Sequence, residues 1–594
     1  MKKEENILIV EPHVTSLTLP PEGFVLEEGA RLEKLDVAWE SCGLEKPEND
    51  NVVFICHALT GDAHVAGRYA GEAEDTGWWS GIVGPGLAID TNRYRVICAN
   101  VLGGCKGTTG PSSINPATGK PYGSSFPQFT MGDTVNVYRA LLRELGITHL
   151  AAVVGGSFGG IQVIEWVTSH PNEVDKAIMI AAGASLNAQA LSFDIIGRYA
   201  ITLDPNWLGG DYYDSPAGGP KVGLAQARQL AHITYLSLPL MNERFGRKYQ
   251  QSWLDKGAEY LAEKAKKFCT TFAIESYLKY QAKKFLARFD ANSYLQITYA
   301  MDRFDVAEKY GSLLEACSRI TSKMLVVSLS GDWLFAEYQS REIVSALLNL
   351  KKSVSYSHLD VKEGHDGFLT NISELSRVMG AFMASETDEP VIREYQRKRH
   401  APVMKMIKGD VRHILDIGCG SGSLMNMLRK ERNISATGID IAFNKIVTSI
   451  KSGNDVIYED IDEGLRDVPS DTYDLAILSE TLQAVKKPKE LLVEILRVAK
   501  EAIVSFPNFA SLSVRFQLGI LGRMPKDKQL PLEWYDTPNI HLFTLKDFKK
   551  LCKEENIKIL EVRTEATSLI GKICMFFGFK NLGASRVIAR IAKK

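Results

Sequence analysis

The run AAVVGGSFGG at residues 151–160, followed by IQVIEWVTSHP, constrains this chain more than any other stretch. Its apolar start reads as a buried strand, and IQVIEW has helical spacing that stops before Pro171. Between them Gly155-Gly156-Ser157-Phe158-Gly159 matches G-x-S-x-G. A strand-to-helix turn this tight leaves no room for side chains beside the serine. It also holds the hydroxyl at a helix N-terminus, where main-chain N–H groups face a developing negative charge. The surrounding pattern agrees. NVVFICHALTG, RYRVICAN, AIMIAAGA and SKMLVVSLSGDWLF each read as a buried strand running into a loop, and SVSYSHLDVKEGHDGFL as a strand, a loop and a helix start. Strands alternating with helices predict a mostly parallel α/β sheet. From about Ser185 to Ser318 the pattern is amphipathic instead, as in KVGLAQARQLAHITYLS and YLAEKAKKFCTTFAIESYLKYQAKKFLARF, and predicts a mainly helical insertion that could serve as a lid.

A serine hydroxyl needs a base, and the base an orienting carboxylate. On such a sheet the partners follow in the order Ser, Asp, His. Asp332 in LSGDWLF and His365 in EGHDGFL follow apolar strands in that order. The other histidines fit less well: His170 ends a helix before Pro171, His232 sits in a helical stretch and His358 in a strand. The oxyanion is expected to meet the N–H of Phe158 and one from the early loop CHALTGDAH, for which Leu59 is the choice.

A second motif opens at residue 413. HILDIGCGSG reads as a strand ending in a glycine-rich loop, with Asp416, Gly418 and Gly420 in it. Glycines let a main chain approach a cofactor closely, and an acidic residue ending the next strand can bind ribose hydroxyls. Asp440 in ATGIDIAFNK is so placed; Asp460, after DVIYED, could face an adenine ring, and YDLAILSETLQ reads as the fourth strand. A nicotinamide cofactor is one ligand such a loop could hold. The tail SRVIARIAKK has the spacing of a solvated terminal helix. The charged stretch SETDEPVIREYQRKRH, residues 385–400, divides the chain into domains of 1–384 and 401–594, and its second half could open the next domain's first helix.

Lys plus Arg number 70 against 71 Asp plus Glu in 594 residues, which argues against a general nucleic-acid or membrane-surface binder. Nine cysteines lie without a CxxC pair, which argues against a zinc site or a disulfide framework and fits a reducing cytoplasm; no metal is expected. The apolar run in MKKEENILIVEP is too short for a signal peptide, and no uncharged apolar stretch has transmembrane length.

Residues 1–384 resemble the α/β-hydrolase type of homoserine O-acetyltransferase, the MetX family. CHALTGDAHVAG, NVLGGCKGTTGPSSINPATGKPYGSSFPQFT, VVGGSFGGIQVIEW, ARQLAHITY and EGHDGF carry the likeness. The resemblance implies an α/β-hydrolase fold, the triad Ser157–His365–Asp332, and contacts from Arg228 and Asp366 to the amino-acid substrate. It implies acetyl-CoA as donor, L-homoserine as acceptor, a ping-pong acyl-serine mechanism, and a homodimer through the helical insertion. Phe158 stands where the family often has methionine, which matters little because the main-chain N–H is used. Arg228 offers a planar fork for the homoserine carboxylate and Asp366 a counter-charge for its ammonium. The residues alone leave open a succinyl donor, serine as acceptor, or a plain serine hydrolase or esterase. Acetyl is favoured because Asp62, in Thr60-Gly61-Asp62, would repel a second carboxylate on the donor.

The D-x-G-x-G-x-G pattern of the second domain is similar to class I S-adenosylmethionine-dependent methyltransferases. LDIGCGSG, DIDEGL, LSETLQAVKKP, EAIVSFPNFA, GRMP and LEWYDTPNIHLFT resemble the MetW family of methionine-biosynthesis proteins. That resemblance implies a Rossmann-like methyltransferase fold in which Asp416, Gly418, Gly420 and Asp440 contact S-adenosylmethionine. No catalytic dyad is legible. Methyl transfer by alignment alone and a regulatory or supporting role therefore both stand.

Overall fold

The structure is a computed structural model that describes residues 8–72, 74, 76–250, 263, 266–267, 272–385, 392–526 and 529–594. The chain divides into two compact units, Met1–Lys352 with Ser357–Met383, and Ser353–Tyr356 with Ala384–Lys594.

The first unit is built on a twisted sheet. Its strands are β1 (Pro12–Ser16), β2 (Asp36–Gly43), β3 (Val52–Cys56), β4 (Arg95–Ala99), β5 (Leu150–Gly156), β6 (Val174–Ile180), β7 (Lys323–Leu329) and β8 (Val354–Leu359), of which Ser357 onward belongs to this unit. The spatial order is β1-β2-β4-β3-β5-β6-β7-β8. β2 runs antiparallel to β1 and β4, and β4, β3, β5, β6 and β7 are mutually parallel. The central strands read as unbroken apolar runs because both their faces are covered: Val53, Phe54, Ile55, Val153, Val154, Met179 and Val326 are fully buried. The antiparallel pair β1–β2 was not legible in the sequence; Asp36–Gly43 mixes Glu, Ser and Trp into its run.

Helix α1 (Met131–Glu144) is started by a reciprocal cap in which the Thr130 hydroxyl accepts from Asp133 N–H and the Asp133 carboxylate accepts from Thr130 N–H. Helix α2 (Phe158–Ser169) follows β5 directly. The insertion is helical as expected, with α3 (Ala188–Thr202), α4 (Lys221–Tyr235), α5 (Ala273–Leu286) and α6 (Ala291–Asp302). Ile201, Leu224, Ala227, Phe285 and Tyr294 pack these helices around a small core of their own. Most of the expected helical stretch before Phe272 lies outside the described residues.

The second unit opens with helix α7 (Glu394–Met404), so the second half of the charged stretch is helical; residues 386–391 lie outside the described residues. Its strands are β9 (His413–Ile417), β10 (Ser435–Asp440), β11 (Asp455–Tyr458), β12 (Tyr473–Ser479), β13 (Ala499–Pro507), β14 (Ile557–Glu565) and β15 (Arg586–Lys593). They lie in the order β11-β10-β9-β12-β13-β15-β14, with β15 antiparallel to both its neighbours. The order reverses between β9 and β12, which makes the carboxyl end of β9 a topological switch point, where ligands bind in open α/β sheets. This is the Rossmann-like methyltransferase arrangement expected. One expectation fails: SRVIARIAKK is no terminal helix. Val587, Ile588, Ala589 and Ile591 are fully buried in β15, which fills the place between β13 and β14. Among the described residues no helix is long and apolar enough to cross a membrane, and no group of His, Cys, Asp or Glu is disposed to hold a metal ion.

Candidate active site

Ser157 sits at the turn between β5 and α2 with φ 58° and ψ −127°, a region that non-glycine residues rarely adopt. Its N–H donates to Ile180 O at 2.9 Å, which pins the turn to β6. The flanking glycines are steric necessities. A Cβ on Gly159 would lie 2.1 Å from Cys56 O on β3, and one on Gly155 would lie 2.3 Å from Gly159 O. The turn and the start of α2 thus press directly on the neighbouring backbone.

The loops after β7 and β8 bring the other two residues to the hydroxyl. His365 Nε2 lies 2.8 Å from Ser157 Oγ, and His365 Nδ1 lies 2.7 Å from Asp332 Oδ2. The second oxygen of Asp332 accepts from Leu334 and Phe335 N–H at 3.0 and 2.9 Å, which fixes the carboxylate's orientation. All three side chains are buried, His365 at 2% exposure. Burial disfavours the imidazolium, but the charge and hydrogen bond of Asp332 more than offset it, and His365 is raised above the ordinary imidazole value. As the first residue of α2, Phe158 has a main-chain N–H without an intrahelical partner. Leu59 lines the cavity onto which Ser157 opens.

That cavity measures about 410 Å³ and is bordered by Ser157, His365, Asp366, Arg228, Tyr235 and the loop Ala58–Asp62. Arg228 is buried to 8% exposure on α4, with its guanidinium 4.7 Å from the Phe285 ring centre and 5.4 Å from that of Tyr235. One guanidinium nitrogen bonds Thr60 Oγ1 at 3.4 Å, while Nε is buried and has no protein partner. Burial pushes the Asp366 carboxyl up, against the pull of His365 and Arg228. The structure therefore brings Arg228 and Asp366 to the same cavity as the three convergent residues, one cation and one acid that can face a zwitterion.

Sequence reasoning missed Tyr235, Lys284 and Arg288, which line the same cavity. Tyr235 lies seven residues after Arg228 on α4, and Arg288 four after Lys284, so helical periodicity could have grouped each pair on one face. Asp62 also borders the cavity, but in company with these cations, which weakens its use as an argument about the donor.

In the second unit the loop after β9 folds back on β10. Gly418 N–H donates to Ile439 O at 2.8 Å, and Gly418 has φ 74°, where a Cβ would lie 2.5 Å from Thr481 Oγ1. Asp440 accepts from Gly420 N–H and from Ala442 N–H, both at 2.8 Å, so its carboxylate holds the loop as well as ending the strand. A Cβ on Gly420 would meet nothing nearer than Lys445 Cδ at 3.9 Å, so the loop faces open space. Asp416 is buried beneath it, and burial together with the charge of Asp440 pushes its carboxyl up to about 7. Asp460 caps a short turn, accepting from Asp462 N–H at 3.0 Å.

Two family models match the chain, one described as alpha/beta hydrolase fold over residues 51–372 and one as Methionine biosynthesis protein MetW over residues 397–573. The bifunctional methionine biosynthesis protein MetXA/MetW of Rhodopirellula baltica is 39% identical over 571 residues, covering 90% of this chain and 86% of its own length. A homoserine O-acetyltransferase of Methanosphaerula palustris is 46% identical over 397 residues, 66% of this chain and 78% of that protein. Among solved structures, esterase E22 aligns with a TM-score of 0.57 at 30% identity, over 63% of this chain and 100% of its own.

Proposed function

Because the chain belongs to the bifunctional MetXA/MetW family of methionine-biosynthesis proteins, its first part to the homoserine O-acetyltransferases, we propose that Ser157, His365 and Asp332 carry its transfer of acetyl from acetyl-CoA to L-homoserine. The observation that supports this most is the unbroken hydrogen-bonded line from Ser157 Oγ through both ring nitrogens of His365 to Asp332.

In this reading His365 Nε2 takes the Ser157 proton as Oγ attacks the thioester carbonyl. The main-chain N–H groups of Phe158 and Leu59 receive the oxyanion. Its collapse expels the CoA thiolate, which takes the proton from His365 and leaves an acetyl ester on Ser157. The homoserine hydroxyl then gives its proton to His365 and attacks the ester; the second collapse returns the proton to Ser157 and releases O-acetylhomoserine. Arg228 pairs with the homoserine carboxylate, and the Asp366 carboxylate with the arriving ammonium. Water in place of homoserine would waste the ester, and α4 and α5, which contribute Arg228, Tyr235 and Lys284 to the cavity's lining, are placed to limit its entry.

A homodimer through the insertion belongs to the same reading. Ile196, Tyr199, Leu203 and Val222 on or beside α3 and α4 are all more than half exposed, a concentration of apolar surface that favours self-association. A cytoplasmic location is consistent with this chemistry.

The residues of the second unit fit S-adenosylmethionine, which would supply an electrophilic methyl group. Gly418 and Gly420 provide a main-chain cradle open to a ligand, Asp440 an acceptor at its rim, and Asp416 a support from below. A cofactor-sensing role for this unit needs the same contacts; a purely supporting role needs none of them.

A panel of acyl donors and acceptors tests the proposal. CoA release from acetyl-CoA is expected only with L-homoserine present, with an O-acetyl product, and Ser157→Ala is expected to lose about 10³-fold or more of it. The likeness to an esterase supports a second reading, simple hydrolysis; release that is independent of homoserine would favour it.

A further inference from the structure

A second, much smaller space opens from Ser157. It measures about 30 Å³ and shares Ser157, Leu59 and Tyr235 with the polar cavity. Phe193, Met301, Leu334 and Phe335 give it apolar walls, and a single carboxyl, that of Asp194, enters the lining. Asp194 Oδ2 is buried and has no hydrogen-bond partner. Asp194 interacts electrostatically with Asp302, which pairs with Arg198, so two acids share one guanidinium. Arg198 Nη1 and Asp302 Oδ1 are likewise buried and unsatisfied.

The substituents of an acyl-enzyme must be distributed among the spaces around Ser157 Oγ. The carbonyl oxygen goes to the N–H groups of Phe158 and Leu59. The departing thiol and the arriving hydroxyl use the polar cavity, where Arg228 and Asp366 stand. The acyl chain remains, and the small, mostly apolar space that also opens on Ser157 suits it. A volume of this size takes a methyl group, since one water-sized sphere occupies about 10–15 Å³ by the same measure. It does not take two further carbons and a carboxylate.

We infer that this small chamber is the acyl pocket, and that its size selects acetyl over longer acyl groups. The inference rests on the role proposed above for Ser157, and it supplies a structural reason for an acetyl rather than a succinyl donor.

The full-length protein can be assayed for homoserine-dependent CoA release with acetyl-, propionyl- and succinyl-CoA, beside Met301→Ala and Phe193→Ala. In the parent protein kcat/KM is expected to fall about tenfold or more from acetyl to propionyl, and again to succinyl. Met301→Ala should raise the propionyl-to-acetyl ratio about tenfold by lengthening the chamber. Phe193→Ala widens the same chamber from another wall, so it too should raise the propionyl-to-acetyl ratio. Ratios within one variant cancel any loss of folded protein. Equal use of acetyl- and propionyl-CoA by the parent overturns the inference, as does failure of both variants to change that ratio. If Met301→Ala does not fold, an unchanged propionyl-to-acetyl ratio in Phe193→Ala overturns it alone. Absence of homoserine-dependent release with every donor would instead remove the transferase role of Ser157.

Discussion

His365 experiences two opposed influences, and their balance is measurable. Burial favours the neutral ring, while Asp332 at 2.7 Å favours the charged one and prevails. Only the neutral ring can accept the Ser157 proton. The kcat/KM for acetyl-CoA is therefore expected to rise with pH along one ionisation whose midpoint lies above the ordinary imidazole value of about 6.5. In Asp332→Asn the raising charge is gone and burial is not, so the midpoint should move down while the plateau rate falls by about 10⁴-fold. A pH–rate series on both proteins checks this. At this scale the sequence was uneven. Ser157, Asp332 and His365 could be picked out because each follows an apolar strand in a fixed order. Arg228 came only through the family resemblance, since periodicity on α4 says nothing of Phe285 and Thr60 arriving from elsewhere to bury it. Asp194 was also invisible, because an acid on an amphipathic helix looks like a solvent-facing one.

Elements show the same division between local and distant causes. The contact between α2 and β3 depends on the absence of a side chain at Gly159, whose Cβ would meet main-chain atoms that cannot swing aside. Gly159→Ala is expected to destabilise the protein by about 1–3 kcal/mol and to displace Ser157. Gly519→Ala, with open space around the added carbon, is the control. Urea midpoints of the two variants, with activity, check the contrast. The parallel strands were legible because they are unbroken apolar runs. β15 misled for a related reason: a strand covered on both faces has no alternation, and the positions of Val587, Ile588 and Ile591 mimic a helical stripe. What makes it a strand is its pairing with β13, some eighty residues earlier along the chain, from Glu501↔Ala592 to Pro507↔Arg586. No local pattern records such a partner.

At the scale of the molecule, both units follow one rule: chemistry-bearing residues gather where parallel strands end. Ser157, Asp332 and His365 follow β5, β7 and β8, and Asp440 closes β10 beside the loop that leaves β9. The rule made both regions visible as strand-then-loop patterns, although it said nothing of which helices would roof them. It also supports a ligand test on the intact chain. S-adenosylmethionine or its demethylated product is expected to raise an unfolding temperature, by an amount that grows with the logarithm of its concentration. Asp440→Asn should remove most of that rise, because it alters both the acceptor and the anchor of Gly420 N–H. Calorimetric scans with and without ligand decide it, and no shift at millimolar ligand would count against a cofactor role.

The backbone at Ser157 has a further consequence. A β-carbon held at φ 58° costs about 1–3 kcal/mol, and the protein carries that cost in every folded molecule, whether or not substrate is present. Glycine would relax the turn and abolish the hydroxyl in one step. A Ser157→Gly protein, lacking the proposed nucleophile, is thus expected to outlast its parent on heating, and any screen of this chain for thermal endurance that ignores turnover would select against that hydroxyl.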